Sequence, residues 1–461
     1  MTYKILPIPI PPPTKGFTQQ LAPFLKFAKF FGRCPLDFEV ISKKSQIKYR
    51  LNVCSISFYA SLILALLLNT ALLVALVKYD NVFHNNLFSG GGIWPPSNPS
   101  DEYFRGRVSQ LVYTLANTML PLSCIFVFID YFLAFFKASE LANWLNNWNI
   151  IEDEMKQIGD QKDVKQDKFR YYFILVFAFA PCMLFGTLET VWQIDFDYPI
   201  HSLLSIIYGY LPYISYAIED SKALLMLKCL QLGFQRVKTD IDEHLIDGRG
   251  LLPIRKIHQV LIKLRAQCDK CGDYLATQQL LSILLTMYFM ALSFFTFVTV
   301  LGNSRDTEGA WNMITFSLAW PFFGISRLSA KVWMSEGITK EEKEIAAILK
   351  TEELKEKNSE CLGINAYLKE LSKVCKLLSH HPTEISLKNY VKLNNALILG
   401  VFQQVFTIFI ILMQFRMEIT HHQLNDSQLP ILPRGTTPPS AQQETLITRA
   451  GIIIGFLRVY A

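Results

Sequence analysis

The chain has 461 residues, of which 51% are hydrophobic and only 18% charged, and the apolar residues gather in long runs. Soluble domains carry about 25% charged residues, so this composition argues against an ordinary soluble domain and for a membrane protein, and no nucleic-acid partner is expected. The formal net charge of +6 informs through its distribution, because Lys and Arg are retained on the cytosolic side of a membrane.

In chain order, residues 1–50 read as a cytosolic N-terminal segment. Ile5 to Thr14 is Pro-rich and is expected to stay outside any packed core. The first 30 residues show no compact apolar region before a small-residue cleavage site, so the first span is expected to direct insertion itself. A bilayer core of ~30 Å needs about 20 apolar residues in one helix, because every backbone polar group must be satisfied within the segment. Seven stretches meet this: Leu51 to Val77, Val108 to Phe136, Tyr171 to Val191, Ile200 to Ala217, Leu280 to Leu301, Trp311 to Val332 and Tyr390 to Phe415. The expected fold is an all-α membrane protein with seven transmembrane helices. Residues 51–217 hold helices 1–4, 218–279 a cytosolic helical connector, 280–332 helices 5–6, and 333–389 a cytosolic helical loop. Residues 390–415 form the seventh helix and 416–461 an extracellular tail.

Loop charge sets the orientation. Residues 1–50 hold nine Lys and Arg, residues 137–170 six and residues 222–279 ten, against three in 78–107, none in 192–199 and only Arg305 in 302–310. The alternation puts the N-terminus in the cytosol and the C-terminus outside. All nine cysteines fall in predicted helices or cytosolic segments, so disulfides are not expected. The Asn425-Asp-Ser427 sequon lies in the outer tail, where Asn425 is a candidate glycosylation site. A G-protein-coupled receptor has the reverse orientation, and no Asp-Arg-Tyr ends the third helix. No inverted repeat marks a secondary transporter. The two cytosolic pieces, with Leu224, Leu225, Leu227 and Leu230 in one and Ile345, Ile348 and Leu349 in the other, are amphipathic and expected to pack as a cytosolic layer.

Motifs for enzymatic chemistry are missing: there is no Gly-rich phosphate loop, no His-Glu-x-x-His and no Gly-x-Ser-x-Gly. Cys268 and Cys271 have the spacing of half a zinc site, but no second pair follows, and the nearest candidates are Cys361, Cys375, His380 and His381 in the next loop. Neither a metal nor a cofactor is expected.

Two sets of polar residues stand out among the spans. Gln404, Thr407, Ile411 and Gln414 recur along one face of the last helix, either bonding to other helices or lining a pore. A second set lies in the predicted outer halves: Gln110, Tyr113, Thr114 and Asn117 on helix 2, Glu189, Trp192 and Gln193 ending helix 3, Tyr208 on helix 4, and Trp311 and Thr315 on helix 6. Aromatic faces with a few convergent polar groups suit a small ligand, although interfacial anchoring explains Trp192 and Trp311 equally well.

The run from Thr407 to Phe415, with Gln414-Phe415 closing it, resembles the signature of insect gustatory receptors; Ile408 stands where that signature has Tyr. Leu21 to Pro35 and Trp144-Leu-Asn-Asn-Trp148 with Glu152 are similar to segments of the sugar-receptor branch, whereas Phe409 replaces the Glu usual there. The resemblance implies a ligand-gated cation channel in the plasma membrane of a sensory neuron, opened by a small tastant. Sugars are the favoured class and bitter compounds the alternative. It further implies a homo- or heterotetramer with related receptors, in which Ile411, Gln414 and Phe415 surround the narrow part of the pore. The alternatives are an odorant receptor subunit of the same superfamily, or a non-channel transporter or scaffold.

Overall fold

The computed structural model describes residues 16–41, 46–88, 122–158, 165–193, 199–246, 251–303, 308–358, 365–380 and 382–428. Two units are described separately, 1–413 and 414–461; within the second, the described residues continue the last helix.

Helix α1 (Phe17–Phe30) buries Leu21, Ala22, Phe24, Leu25 and Ala28 and exposes Pro23, Lys26, Phe27 and Phe30, the one-sided pattern of an amphipathic helix. The Glu152 carboxylate accepts the Phe17 N–H (3.2 Å), which places a negative charge at the positive end of the helix. At the other end Gly32 takes φ 68°, the Gly32 N–H donates to Lys29 O (2.9 Å) and the Arg33 N–H to Ala28 O (2.8 Å). This Schellman closure satisfies the last carbonyls and turns Arg33 inward.

An antiparallel hairpin follows, β1 (Asp37–Ile41) and β2 (Gln46–Arg50), with Asp37 opposite Arg50. Span-length hydropathy passes over it, although Asp37 to Val40 and Gln46 to Arg50 each alternate polar and apolar residues. Its hydrogen-bonding groups are met from a helix: Asn146 accepts the Tyr49 N–H (3.0 Å) and donates to Tyr49 O (2.8 Å), and Asn149 donates to Ile47 O (2.9 Å). Asn146 lies within the Trp144 to Trp148 segment and Asn149 directly follows it; the two tryptophans stack with centroids 6.0 Å apart. Trp144 Nε1 donates to Gln267 O (3.2 Å) and Gln267 Nε2 returns a bond to Trp144 O (2.6 Å).

Helix α2 spans Ile56–Phe88. Helices α3 (Leu122–Phe136) and α4 (Ala138–Lys156) meet at 56° about Lys137. The buried Lys137 ammonium donates to Asp273 O (3.2 Å) and Tyr274 O (2.6 Å), fixing the bend against a later helix. Helices α5 (Lys165–Gln193), α6 (Pro199–Ile246), α7 (Leu251–Asn303) and α8 (Glu308–Asn358) come next. The last three have 48, 53 and 51 residues, so the spans expected at 200–217, 280–301 and 311–332 run without a break into the segments read as connectors. Pro212 and Pro321 sit inside α6 and α8 without ending them. Helix α9 (Asn365–His380) leads to the small hairpin β3 (Ser386–Leu387) and β4 (Val391–Lys392), and then to α10 (Asn395–Gln428). The last span therefore starts at Asn395 rather than Tyr390. Lys388 and Asn389 adopt left-handed backbone in the three-residue hairpin loop, where the Tyr390 N–H donates to Leu387 O (3.0 Å), and the chain becomes helical only after it.

Among the described residues, three helical stretches are long and apolar enough to cross a membrane, Ile56–Val74, Ile254–Thr299 and Asn395–Glu418. The bent pair α3 and α4 makes a fourth if taken as one span, and Tyr172–Thr187 is apolar but shorter. The first unit holds three apolar clusters. One joins α1, α4, α9 and the distal parts of α6, α7 and α8, a second joins α2, α3, α5 and the other parts of α6, α7 and α8, and a small third one holds α10.

Candidate functional site

The α10 helix starts under control of α8: the Asn395 N–H and side-chain amide both donate to the Glu336 carboxylate (2.8 and 2.7 Å). Beyond this cap, its buried contacts are few. Val401 and Val405 pack with Leu328 and Val332 of α8 and with Met290 and Ala291 of α7. Gln404, Thr407 and Ile411 are exposed, as are Phe406 and Ile410. Thr407 Oγ1 returns its proton to Gln403 O, one turn back (2.9 Å). In the unit that begins at Gln414, that residue is exposed and Phe415 half-buried. Gln404 and Thr407 therefore lie on the open side of the helix, away from the Val401 and Val405 contacts within this chain.

Gln110, Tyr113, Thr114 and Asn117 lie outside the described residues. Glu189, Trp192 and Gln193 belong to the end of α5, Tyr208 to α6, and Trp311 and Thr315 to α8; their side chains, and that of Asn425 on α10, also lie outside what is described.

A different recess is visible between α6, α7 and α8. Tyr216, Thr286, Phe289, Trp320, Phe323 and Arg327 are among the residues that line it, and it has room for about one water molecule. Its floor is charged. The Arg327 guanidinium lies over the Tyr216 and Phe323 rings (4.8 and 5.1 Å to the centroids) and pairs with Asp220. Lys331 Nζ is 2.6 Å from the second Asp220 oxygen and 2.6 Å from Gln279 Oε1. One residue back on α6, Glu219 pairs with Lys222 and lies 3.7 Å from Arg33, which is 2.6 Å from Asp130 of α3. Gln278 and Ser215 donate to Asp130 at 2.7 and 3.3 Å. These seven ionisable groups are nearly all buried, and a buried charge is tolerable only with such partners.

Sequence reasoning passed over this network, although a signal for it was present. Asp130, Arg327 and Lys331 fall inside predicted spans, and an ionisable residue in an apolar span marks a functional position by default. The cysteine pair, by contrast, has a packing explanation. Cys268 and Cys271 are wholly buried in the largest apolar cluster beside Cys229, whose thiol burial holds well above its ordinary range. Cys361 and His381 lie outside the described residues, and among those described no group of three or more His, Cys, Asp or Glu is arranged to hold a metal.

Residues 83–419 match the family described as the 7tm chemosensory receptors. The fold resembles a solved structure of the insect olfactory receptor OR5 from Machilis hrabei, at 9% identity and a TM-score of 0.57 over 87% of this chain and 100% of that one. A second structure of that receptor, in complex with eugenol, matches at 11% identity and a TM-score of 0.52 over the same shares of each chain. No curated protein matches the sequence. Identities this low speak to the fold, an all-α membrane architecture, and not to ligand or mode of assembly. The family match covers the bent α3–α4 pair, the long helices and most of α10, so the chain belongs to the 7tm chemosensory receptor family and is a receptor, not an enzyme.

Proposed function

We propose that this receptor is a ligand-gated cation channel of the gustatory type, opened by a small tastant, with sugars the favoured class. The observation that carries the reading is α10: an apolar helix with two buried valines among its described side chains, and with Gln404, Thr407, Ile411 and Gln414 exposed. Polar side chains on a hydrocarbon-length helix need protein or water opposite them. Four copies arranged around an axis, homomeric or with related receptors, would supply that environment as a pore, with Ile411, Gln414 and Phe415 at its narrow part. Cations would pass there, and the outer-half residues, Glu189 and Trp192 foremost, would receive the tastant. In this reading the N-terminus is cytosolic, the glycosylated Asn425 tail extracellular, and the receptor sits in the plasma membrane of a sensory neuron.

An olfactory role is the second reading, favoured by the likeness to an insect olfactory receptor solved with eugenol. The Thr407 to Phe415 run, which resembles the gustatory signature apart from Ile408, leans the other way. Expression in calcium-reporting cells challenged with sucrose, fructose, quinine, caffeine and eugenol separates the two. Responses to sugars or bitter compounds in cells without an olfactory co-receptor support the taste reading; responses to eugenol alone, and only with such a co-receptor, refute it. A tag on the N-terminus that antibody reaches in intact cells overturns the orientation.

A further inference from the structure

On α8, Arg327 and Lys331 stand one turn apart and both face Asp220 of α6. The next residue after each, Leu328 and Val332, lies about 100° round the helix. Those two are the α8 side chains packed with Val401 and Val405, the only buried side chains among the described ones of α10. The same turn of α8 is thus held by charge on one face and supports α10 on the adjoining one. On its other side α6 is tied through Glu219 and Arg33 to Asp130 of α3, so the support reaches back to the helices that enter the α3–α4 bend.

We infer that Asp220, Arg327 and Lys331 form a clasp that sets where α8 stands against α10 and thereby the balance between closed and open channel. They are positioning residues: none lies on the polar stripe of α10, and they act through Leu328 and Val332. A rotation of α8 that lengthens the ion pairs carries both apolar side chains out from under α10. Since packed interfaces shift between discrete arrangements rather than deforming smoothly, a small displacement there suffices. This inference rests on the reading of α10 as the pore helix for its functional half; its structural half, that the clasp orders the start of α10, stands apart from it.

Two readouts keep these halves distinguishable. Asp220→Asn leaves Arg327 and Lys331 side by side without their carboxylate. In full-length protein in lipid nanodiscs, hydrogen exchange over residues 395–405 should rise at least tenfold. In cells, at matched surface amount, the variant should pass resting current or shift the half-maximal concentration of whichever compound of the sucrose, fructose, quinine and caffeine panel opens the wild type at least tenfold, with unchanged ion selectivity. Lys331→Met keeps the Arg327–Asp220 pair, should give a smaller change in the same direction, and decides the matter if Asp220→Asn does not fold. A clasp with a merely structural role would lower the surface amount and leave dose dependence alone. Wild-type exchange over 395–405 in the folded variants overturns the inference. If exchange rises but resting current and dose dependence stay wild-type, the gating half is overturned. If wild-type protein carries no current under any condition, the channel reading fails while exchange still decides whether the clasp orders α10.

Discussion

Gly272 offers a quantitative test of how α10 is anchored. A Cβ built there would lie 2.1 Å from the carbonyl oxygen of Ser386 and 3.1 Å from its carbonyl carbon, both backbone atoms of the β3 strand. In Gly272→Ala the hairpin must therefore retreat from α7 by about 1 Å, and it cannot do so freely. Ile385, Leu387 and Leu393 are 1%, 0% and 3% exposed, the Leu393 N–H bonds to Ile385 O at 2.9 Å, and Thr383 is held by Glu342 and Arg265. Inserting one methyl group into so tight a place costs about 1–3 kcal/mol. Taking about 2 kcal/mol, the folded to unfolded ratio drops by a factor of about 30. Because the hairpin leads directly into the Glu336 cap of α10, channel opening should change as well. The assay is a melting series followed by fluorescence-detected size exclusion of the solubilised receptor. Gly400→Ala is the contrast: beyond its own stretch of helix no heavy atom lies within 4 Å of its added Cβ, and in a helix interior the exchange gains about 0.5–1 kcal/mol. A melting midpoint for Gly272→Ala equal to that of the wild type would refute the docking of the β3–β4 hairpin on α7.

At the proposed pore, Gln414→Glu and Gln414→Lys should shift reversal potentials in opposite directions, and Ile411→Ala should raise resting current, since an apolar constriction closes by excluding water; identical selectivity in both charge variants would return the stripe to helix packing. In the outer half, Glu189→Ala and Trp192→Ala should raise the tastant concentration needed for opening by about tenfold, near 1.4 kcal/mol of binding, and unchanged dose dependence at normal surface expression would make both residues membrane anchors. Thiol labelling probes the core. Cys54 is exposed, whereas burial pushes Cys34 and Cys375 up to about 11, leaving about 0.1% thiolate at pH 8. Peptide mapping after brief maleimide treatment should find Cys54 modified at least tenfold faster than either, and equal rates would contradict the packing of α1 and α9.

Membrane character, the helical class and the Thr407 to Phe415 run were legible in the sequence for one reason: each depends on residues close together along the chain. Hydropathy sums over a window, and each predicted span overlaps a helix among the described residues, although the chain becomes helical only at Ile56 in the first and at Asn395 in the last. The amphipathic connectors were legible too, because Leu224, Leu225 and Leu227 and then Ile345 and Leu349 repeat at helical spacing, and all of them enter the largest apolar cluster.

Whatever depends on pairing across the chain was decided by the tertiary structure alone. The β1–β2 hairpin does alternate polar and apolar residues, in Asp37-Phe-Glu-Val40 and Gln46-Ile-Lys-Tyr-Arg50, but a window sized for membrane spans passes over so short a pattern, and Asn146 and Asn149, about a hundred positions later, satisfy its backbone. The Trp144 segment looked like a family marker and is physically a joint between α4, the hairpin and α7. Asp130, Arg327 and Lys331 read singly as costly charges in apolar spans. Their partners Arg33 and Asp220 lie far off in sequence, and a buried charge's free energy is set by its partner rather than by its neighbours in the chain. The openness of the α10 stripe is likewise tertiary. Spacing put Gln404 and Thr407 on one face, but only the packing of Val401 and Val405 determined which face meets α7 and α8, leaving the polar one exposed.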